Sequence, residues 1–424
     1  MKRWLVALLV VLAVLVLVSP GLIGQLAQEN IEMGLSQAAN EGGRATVTTE
    51  KYDKGWFTSE GRYRIVFEEG GVREALQAGE PGAPAIIVTT QVQHGLLPVG
   101  GFIPGIANAQ STAQIDSGTG DLIDIPGVLR THVGLGGDTT FNYHADKDSF
   151  VLGDGNEIDW DGADLEINTN ADMTRVEVSG TILPLQMRAD GNLMNVGTII
   201  VRGQQQRVDY GLDVGSGSFD LDRLWARDID GETSIQALHF DSTASVDEDG
   251  AAFVFRSSVK DMDLPGMADL SYDVEISLAR MDPATLGRIL ERLRGADAQT
   301  GMYPELEQDV LELLSLGTTI KAPRVSVATP QGNLDVAINL EIDRQPSGSA
   351  PNWIGVLMAS DATVQLSVPA MLVQFAQVAS PEMAALMEMG LLIEDGDNYR
   401  MEARFKKGIL TVNGAPLPLP LPTG

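Results

Sequence analysis

Segments in which apolar and polar side chains alternate recur along most of this 424-residue chain, and they constrain its fold more than any other feature. In the first clear case, Tyr63, Ile65 and Phe67 alternate with the charged side chains of Arg62 and Arg64. Successive side chains of a β-strand point to opposite faces, so a period of two predicts a half-buried strand. Residues 45–52 precede it, separated by a turn, and this arrangement predicts a hairpin.

Similar segments recur every ten to fifteen residues between residues 139 and 260. The strand candidates, after an earlier one at residues 86–93, are residues 164–168, 175–185, 198–212, 234–246 and 252–259. Asp-Gly pairs, which favour tight hairpin turns, separate many of them: Asp154-Gly155, Asp161-Gly162, Asp190-Gly191, Asp230-Gly231 and Asp249-Gly250. The pattern predicts a large, curved antiparallel sheet with one apolar and one polar face. Residues 95–110, which are rich in glycine and proline, are predicted to be a loop.

Helical spacing interrupts the alternation in the C-terminal part of the chain. Asp282-Pro283 is a helix-start signal, because proline fits the first helical position, and Leu286, Ile289 and Leu290 then share one face. Further helices are predicted at residues 304–316 and 369–390, and strands at residues 324–327, 333–342, 399–405 and 409–412. The predicted fold class is α+β and mainly β, with a few packed helices. A β-rich region at residues 44–275 precedes an α+β region at residues 276–424.

An apolar run of 20 residues, residues 4–23, follows the basic pair Lys2 and Arg3. As a helix the run would be about 30 Å long, which matches the hydrocarbon core of a bilayer. Because positive charges stay on the cytoplasmic side, we predict a signal-anchor transmembrane helix at residues 1–24, with the remaining chain outside. The alternative is a cleaved signal peptide, with Ser19 and Gly21 as small residues around the cut. Residues 25–43 carry the spacing of a juxtamembrane amphipathic helix.

The chain is strongly acidic, with 58 acidic and 29 basic side chains, a formal net charge of −29, and no cysteine. A polyanion repels phosphate backbones, so nucleic-acid binding is excluded as a general function. Without cysteine there is no disulfide, thiolate zinc site, iron–sulfur cluster or cysteine nucleophile. The acidity favours an exported surface in contact with salty solvent. The alternative is an acidic surface that binds cations or a basic partner.

The sequence contains no constellation typical of catalysis or of a cofactor site. The four histidines, His94, His132, His144 and His239, lie too far apart in sequence for a zinc motif. Two acidic clusters are the best candidates for bound ions: Asp154, Asn156, Glu157, Asp159 and Asp161, and Asp247, Glu248 and Asp249. Neither has the spacing of an EF-hand, and Asp-Gly is also the usual hairpin turn. We therefore predict a non-enzymatic protein with no catalytic residue, metal or cofactor.

Four short motifs carry a resemblance to a known family. They are Gly55-Trp56-Phe57-Thr58-Ser59, His94-Gly95, Met281-Asp282-Pro283-Ala284-Thr285-Leu286, and the C-terminal run from Gly408 to Gly414, which includes Asn413. With these motifs in this order, the chain resembles the YdgA-like bacterial proteins, the domain-of-unknown-function family 945, along almost its whole length. That family usually has proline directly after His-Gly, whereas Leu96 follows here. The resemblance implies a Gram-negative inner-membrane protein with a periplasmic body, and it brings no established activity.

Three functions are consistent with the sequence. In the first, a tethered envelope protein acts as a scaffold or shelters an apolar ligand; its architecture resembles that of AsmA-like envelope proteins, which are associated with lipid movement. A groove lined by leucine, valine, isoleucine and phenylalanine would favour lipid handling, whereas an apolar face fully covered by helices would oppose it. The second is a hydrolase that uses carboxylates and His94, and the third is a cation-loaded structural or adhesive module.

The expected partners follow from the first of these functions. They are the lipid bilayer, through residues 4–23, and lipid or other envelope proteins, with a homodimer as a further option and no nucleic acid.

Overall fold

A computed structural model describes the chain in twelve stretches. They are residues 45–54, 58–67, 85–94, 107–116, 122–151, 157–189, 191–228, 231–295, 304–346, 350–379, 387 and 389–417. The predicted signal-anchor of residues 1–24, with Lys2 and Arg3, and the amphipathic helix of residues 25–43 lie outside the described residues. So do Gly55, Trp56, Phe57 and Gly95 of the family motifs. Among the helices that the structure describes, none is long and apolar enough to cross a bilayer.

The described residues form 24 strands and four helices. The first strands are β1 (Ala45–Lys54), β2 (Thr58–Phe67), β3 (Ala85–His94), β4 (Ala107–Asp116), β5 (Leu122–Val133), β6 (Thr139–Ala145), β7 (Asp148–Val151), β8 (Glu157–Trp160), β9 (Ala163–Thr169), β10 (Arg175–Ile182), β11 (Leu185–Ala189), β12 (Asn192–Val196), β13 (Ile199–Arg207) and β14 (Asp213–Asp228). The later strands are β15 (Gly231–Asp247), β16 (Gly250–Leu264), β17 (Met267–Met281), β18 (Thr318–Thr329), β19 (Gly332–Ile342), β20 (Ser360–Pro369), β21 (Ile393–Asp395), β22 (Asn398–Lys406), β23 (Ile409–Val412) and β24 (Ala415–Leu417). The helices are α1 (Pro283–Gly295), α2 (Pro304–Ser315), α3 (Trp353–Ala359) and α4 (Ala370–Ala379).

The chain divides into two compact units. The first unit comprises Met1–Gln204 and Leu221–Gly231, and the second comprises Gln205–Asp220 and Glu232–Gly424. The registers that the structure gives are all antiparallel, so the predicted mainly β, antiparallel fold with few helices is confirmed. The predicted curvature of the sheet and the predicted domain boundary at residue 275 stay predictions.

In the first unit, neighbouring strands pair in the order β1-β2-β3-β4-β5-β6-β9-β10. One face of this sheet is apolar and closely packed. Tyr63, Ile86, Leu129 and Tyr143 on this face are each at most 2% exposed. Burial of such side chains supplies most of the favourable free energy of folding, so this face is the core of the unit.

A polar contact and a glycine fix the position of one core side chain. The Tyr143 hydroxyl donates to the carbonyl oxygen of Pro126 at 2.5 Å. Gly127 has φ +104°, and a Cβ there would lie 2.8 Å from the Tyr143 ring. The missing side chain therefore makes room for the ring. Burial raises the pKa of the Tyr143 phenol, because the charged phenolate would be poorly solvated.

In the second unit, β15 to β20 pair in sequence order, β22 pairs with β20, and β23 and β24 follow. Helices α1 and α2 pack at one end of this sheet, around a cluster of Leu212, Ala251, Met281, Ile289 and Leu313. The predicted helix start is confirmed. The Asp282 carboxylate accepts the backbone N–H and the hydroxyl of Thr285, which satisfies a donor that a helix N-terminus leaves unpaired.

Several sequence predictions need correction. The loop predicted at residues 95–110 is wrong for residues 107–110, because β4 begins at Ala107. Its alternating inward side chains are small, and this weakens the hydrophobic signal of a strand. The strand predicted at residues 198–212 ends at Arg207, since a 3₁₀ turn with φ +63° at Tyr210 interrupts it. Strand β20 and helix α3 were not predicted.

Candidate functional site

The strand register of the second unit aligns apolar side chains into rows that run across the sheet. Residues that pair across two antiparallel strands point to the same face, so each row can be followed from strand to strand. One row crosses eight strands through Phe253, Leu278, Ile320, Leu340, Ala362, Phe405, Leu410 and Leu417. All eight side chains are apolar, although they come from residues up to 164 positions apart (417 minus 253).

Further rows lie beside it on the same face. They consist of Ala322, Ile338, Val364, Ala403 and Val412, then Val274, Val325, Val336, Leu366 and Met401, then Val259, Tyr272, Val327 and Leu334. With Phe255 and Ile276, which pair with each other, these rows and the first one define what we call the apolar face. The part between β16 and β22 covers about 24 Å by about 20 Å, from five spacings of ~4.8 Å between six strands and six steps along a strand at ~3.3 Å.

Aromatic rings extend the apolar face towards the start of the unit. The ring centroids of Phe240 and Phe255 are 6.1 Å apart, and those of Phe219 and Phe240 are also 6.1 Å apart. Ring pairs at this distance attract each other beyond their buried area. The three phenylalanines therefore form a continuous aromatic edge of the apolar face.

The apolar face keeps a large exposed fraction. Phe253, Ile276 and Ile338 are each 37% exposed, and most other residues of the face are half-buried. The equivalent apolar face of the first unit is buried, with Ile86 at 0%. In the second unit, the helix cluster packs against Leu278 at one end of the face and leaves these three side chains exposed. The condition that would oppose lipid handling, an apolar face fully covered by helices, is therefore not met by the described residues.

The opposite face of the same sheet is charged. Its ion pairs cross from strand to strand: Arg256 to Glu275 at 3.2 Å, Arg256 to Asp241 at 3.5 Å, Arg324 to Asp273 at 2.9 Å and Lys321 to Glu341 at 3.4 Å. These pairs are exposed, so each contributes little to stability, but together they keep this face in water. The sheet is thus amphipathic, and its apolar face is the side that an apolar ligand would contact.

The family-motif residues near the C-terminus have structural roles at the edge of this sheet. Lys407 and Gly408 have φ of +49° and +79°, and Asn413 and Gly414 have φ of +50° and +80°. Both pairs thus make two-residue hairpin turns of the kind that matches strand twist, linking β22 to β23 and β23 to β24. The Asn413 side chain also donates to the carbonyl oxygens of Gly390 and Leu391, both at 3.1 Å. Asn413 therefore ties a neighbouring segment to the hairpin.

The N-terminal motif residues are described only in part. Ser59 lies on β2 and is buried, at 4% exposed. His94 is the last residue of β3 and pairs with Ala107, and its side chain lies outside the described residues. The convergence of His94 with acidic residues, which the hydrolase hypothesis requires, therefore stays untested.

The other three histidines are bound by separate partners. His132 Nδ1 lies 2.8 Å from Asn108 Oδ1, His144 Nδ1 lies 2.6 Å from Asp164 Oδ1, and His239 Nδ1 lies 2.6 Å from Asp220 Oδ1. The hydrogen bond from Asp164 raises the pKa of His144, and the one from Asp220 raises the pKa of His239. These contacts pin neighbouring strands together on exposed or half-exposed surfaces.

The first acidic cluster singled out in the sequence contacts the protein's own cations where it is described. Arg188 contacts Glu157 and Asp159, at 3.3 Å and 2.8 Å, and Lys147 contacts Asp161 at 2.7 Å. Hydrogen bonds from Ser149 and Arg188 lower the pKa of Asp159. Asp154 and Asn156 lie outside the described residues.

The second acidic cluster and a further group of carboxylates lie at turns. Asp247 accepts the backbone N–H of Asp249, as expected for a turn. Sequence reasoning missed Asp261, Asp263 and Asp269, whose carboxylate oxygens lie within 4.8 Å of one another. Asp263 accepts the backbone N–H of Asp269, so this group also belongs to a turn.

Together these features define a class: β-rich proteins that present an extended, half-exposed apolar sheet surface backed by a charged face. The sequence assigns the chain to a family within this class. Residues 1–420 match the family described as "Bacterial protein of unknown function (DUF945)", and the chain belongs to this family. The resemblance drawn from the four motifs is therefore confirmed. No curated protein and no solved structure matches the chain.

Proposed function

We propose that this protein is a non-enzymatic lipid-handling protein of the bacterial cell envelope, whose apolar face shelters acyl chains. The observation that carries the proposal is the continuous apolar face, in which Phe253, Ile276 and Ile338 are each 37% exposed. Acyl chains fit such a surface, because covering it requires contact over a wide apolar area and no directional hydrogen bonds.

The size of the apolar face supports this function. The face extends over about 24 Å by 20 Å and is partly exposed, and large apolar patches on a protein surface commonly bind a partner, a ligand or a membrane. The charged face behind it keeps the sheet in water. An acyl chain on the front would cover the exposed side chains without removing any ion pair from solvent.

The N-terminal sequence suggests where this would happen. Residues 4–23 are long and apolar enough for a membrane anchor, and the positive charges of Lys2 and Arg3 before them favour a cytoplasmic N-terminus. We therefore propose an inner-membrane protein of a Gram-negative bacterium with its body in the periplasm. In that position the anchor would keep the apolar face beside a source of lipid.

Lipids that accompany the purified protein provide the test. The full chain is purified in a mild detergent, and its lipids are extracted and quantified per protein by mass spectrometry. The anchor itself holds lipid, so wild type is compared with Ile276→Glu, which has the same anchor. We expect wild type to carry an additional fraction of lipid that the variant lacks. Equal lipid content in two folded proteins would refute the proposal, and a doubled protein mass without lipid would assign the face to a homodimer.

A further inference from the structure

Helix α3 places large apolar side chains at the surface of the second unit. Ile354 is 71% exposed, Met358 is 53% exposed and Leu357 is 40% exposed, whereas Val356 is buried at 5%. Asn352 caps the start of the helix, and its side chain accepts the Gly355 N–H at 2.7 Å. Such exposure on one turn of helix is unusual for a surface that meets only water.

The turn between β22 and β23 lies against this helix. A Cβ at Gly408 would be 3.1 Å from the Met358 sulfur, so the turn and the helix are in contact. Ile409, the next residue, is 62% exposed. We call α3 and residues 406–409 the tip.

The tip also concentrates positive charge in an acidic protein. Of the eight lysines in the chain, Lys406 and Lys407 are the only adjacent pair. Lys406 and Arg404 both contact Asp361, at 2.5 Å and 3.7 Å, so one carboxylate is shared by two cations. The whole chain has a net charge of −29, so an anionic surface repels most of it. A local basic site such as the tip is then the part of the protein that can approach an anionic surface.

The apolar face continues to the tip. Phe405 and Leu410, which belong to the longest apolar row, pair with each other next to the Lys407-Gly408 turn. A membrane-bound tip would therefore bring the end of the apolar face to the bilayer surface.

We infer that the tip contacts an anionic lipid bilayer, with Ile354, Leu357 and Met358 among the headgroups and Lys407 beside their phosphates. Exposed isoleucine, leucine and methionine next to lysine is the composition of an interfacial membrane contact. Trp353, at the start of α3, fits the interface as well, since tryptophan prefers the boundary between water and hydrocarbon. The contact goes beyond the proposed lipid binding and does not depend on it.

The absence of cysteine allows a direct test. The full-length variant Ile354→Cys is labelled with an environment-sensitive fluorophore and reconstituted into vesicles of phosphatidylglycerol or of phosphatidylcholine. Gln331→Cys, exposed in the turn between β18 and β19, is the matched control. We expect a blue shift and quenching by acyl-chain spin labels at position 354 in phosphatidylglycerol, and neither at position 331.

Further variants separate charge from lipid binding. Lys407→Asn keeps a residue that tolerates the positive φ, and it should lower the equilibrium constant for label insertion about fivefold, as expected for one lysine at an anionic surface. Ile276→Glu should leave the label response unchanged, and Lys407→Asn should leave the co-purified lipid unchanged. No shift at position 354, an equal shift at position 331, or an equal response in phosphatidylcholine would overturn the inference.

Discussion

Ile276→Glu tests whether the apolar face binds acyl chains. Ile276 is 37% exposed in the middle of this face, so the new carboxylate can reach water as long as no ligand covers it. The buried portion of the isoleucine is lost, which costs about 1–2 kcal/mol of the ~1.5–3 kcal/mol that a fully buried isoleucine contributes. A protein of ordinary stability tolerates such a loss and stays folded.

The same substitution should weaken the binding of acyl chains to the face far more than it lowers the stability of the fold. A carboxylate covered by hydrocarbon would have to take up a proton. Protonating a glutamate whose pKa is about 4.3 costs about 3.7 kcal/mol at pH 7. The exposed third of the isoleucine no longer gains ~0.5–1 kcal/mol from being covered. Together these losses are about 4–5 kcal/mol, or a fall of roughly a thousandfold in affinity.

The neighbouring residue supplies a matched control. Ser277 lies on the charged face and pairs with Lys321 on β18, so Ser277→Glu adds the same charge where water and a lysine are available. Both variants are assayed for co-purified lipid per protein and for thermal unfolding. Wild-type lipid content in a folded Ile276→Glu variant would contradict the reasoning, and so would an equal loss in Ser277→Glu.

Three further predictions concern stability. Asn413→Gly keeps the positive φ and removes the side-chain hydrogen bonds, so urea unfolding should show a loss of about 1–2 kcal/mol; an unchanged midpoint would mean that these bonds add nothing. Tyr143→Phe removes the bond to Pro126 and leaves a buried carbonyl unsatisfied, and calorimetry should show a loss of about 1–3 kcal/mol. Asp220 raises the pKa of His239 above its usual value of 6.5, so the stabilisation is complete below that value and is lost as pH rises through the folded pKa. The stability difference between wild type and His239→Gln should therefore be larger at acidic than at alkaline pH, and a pH-independent difference would contradict this.

The hairpins were the most predictable part of the fold, because their signals are local. Residues 324–327 and 333–342 were predicted as strands, and β18 and β19 pair there. Asn413-Gly414 is, like the Asp-Gly pairs, a strong short hairpin signal, although the sequence analysis treated it as part of a family motif and assigned it no turn. The C-terminal strands were likewise found where alternation and turn residues agree.

The apolar face could be predicted only in outline. Its rows depend on register, and a bulge in β18 between Ala322 and Val325 shifts the pairing so that apolar residues on both sides of it stay on one face. Exposure depends on what packs above a sheet, which alternation does not encode. Ile86 and Ile276 both lie on strands that pair with a neighbour on each side, yet Ile86 is 0% exposed and Ile276 is 37% exposed. Helix α3 was missed because seven residues are too few to show a helical period.

The order of the strands in the second unit has a consequence for how its surface can change. From β15 to β20 every strand pairs with its neighbour in sequence. Each further hairpin therefore extends the sheet at its edge and leaves the pairing of the earlier strands unchanged. The gain or loss of one hairpin would widen or narrow the apolar face by about 10 Å, two strands at ~4.8 Å each, without new packing elsewhere. Relatives of different length could therefore carry faces of different width on the same plan, each suited to a different amount of hydrocarbon.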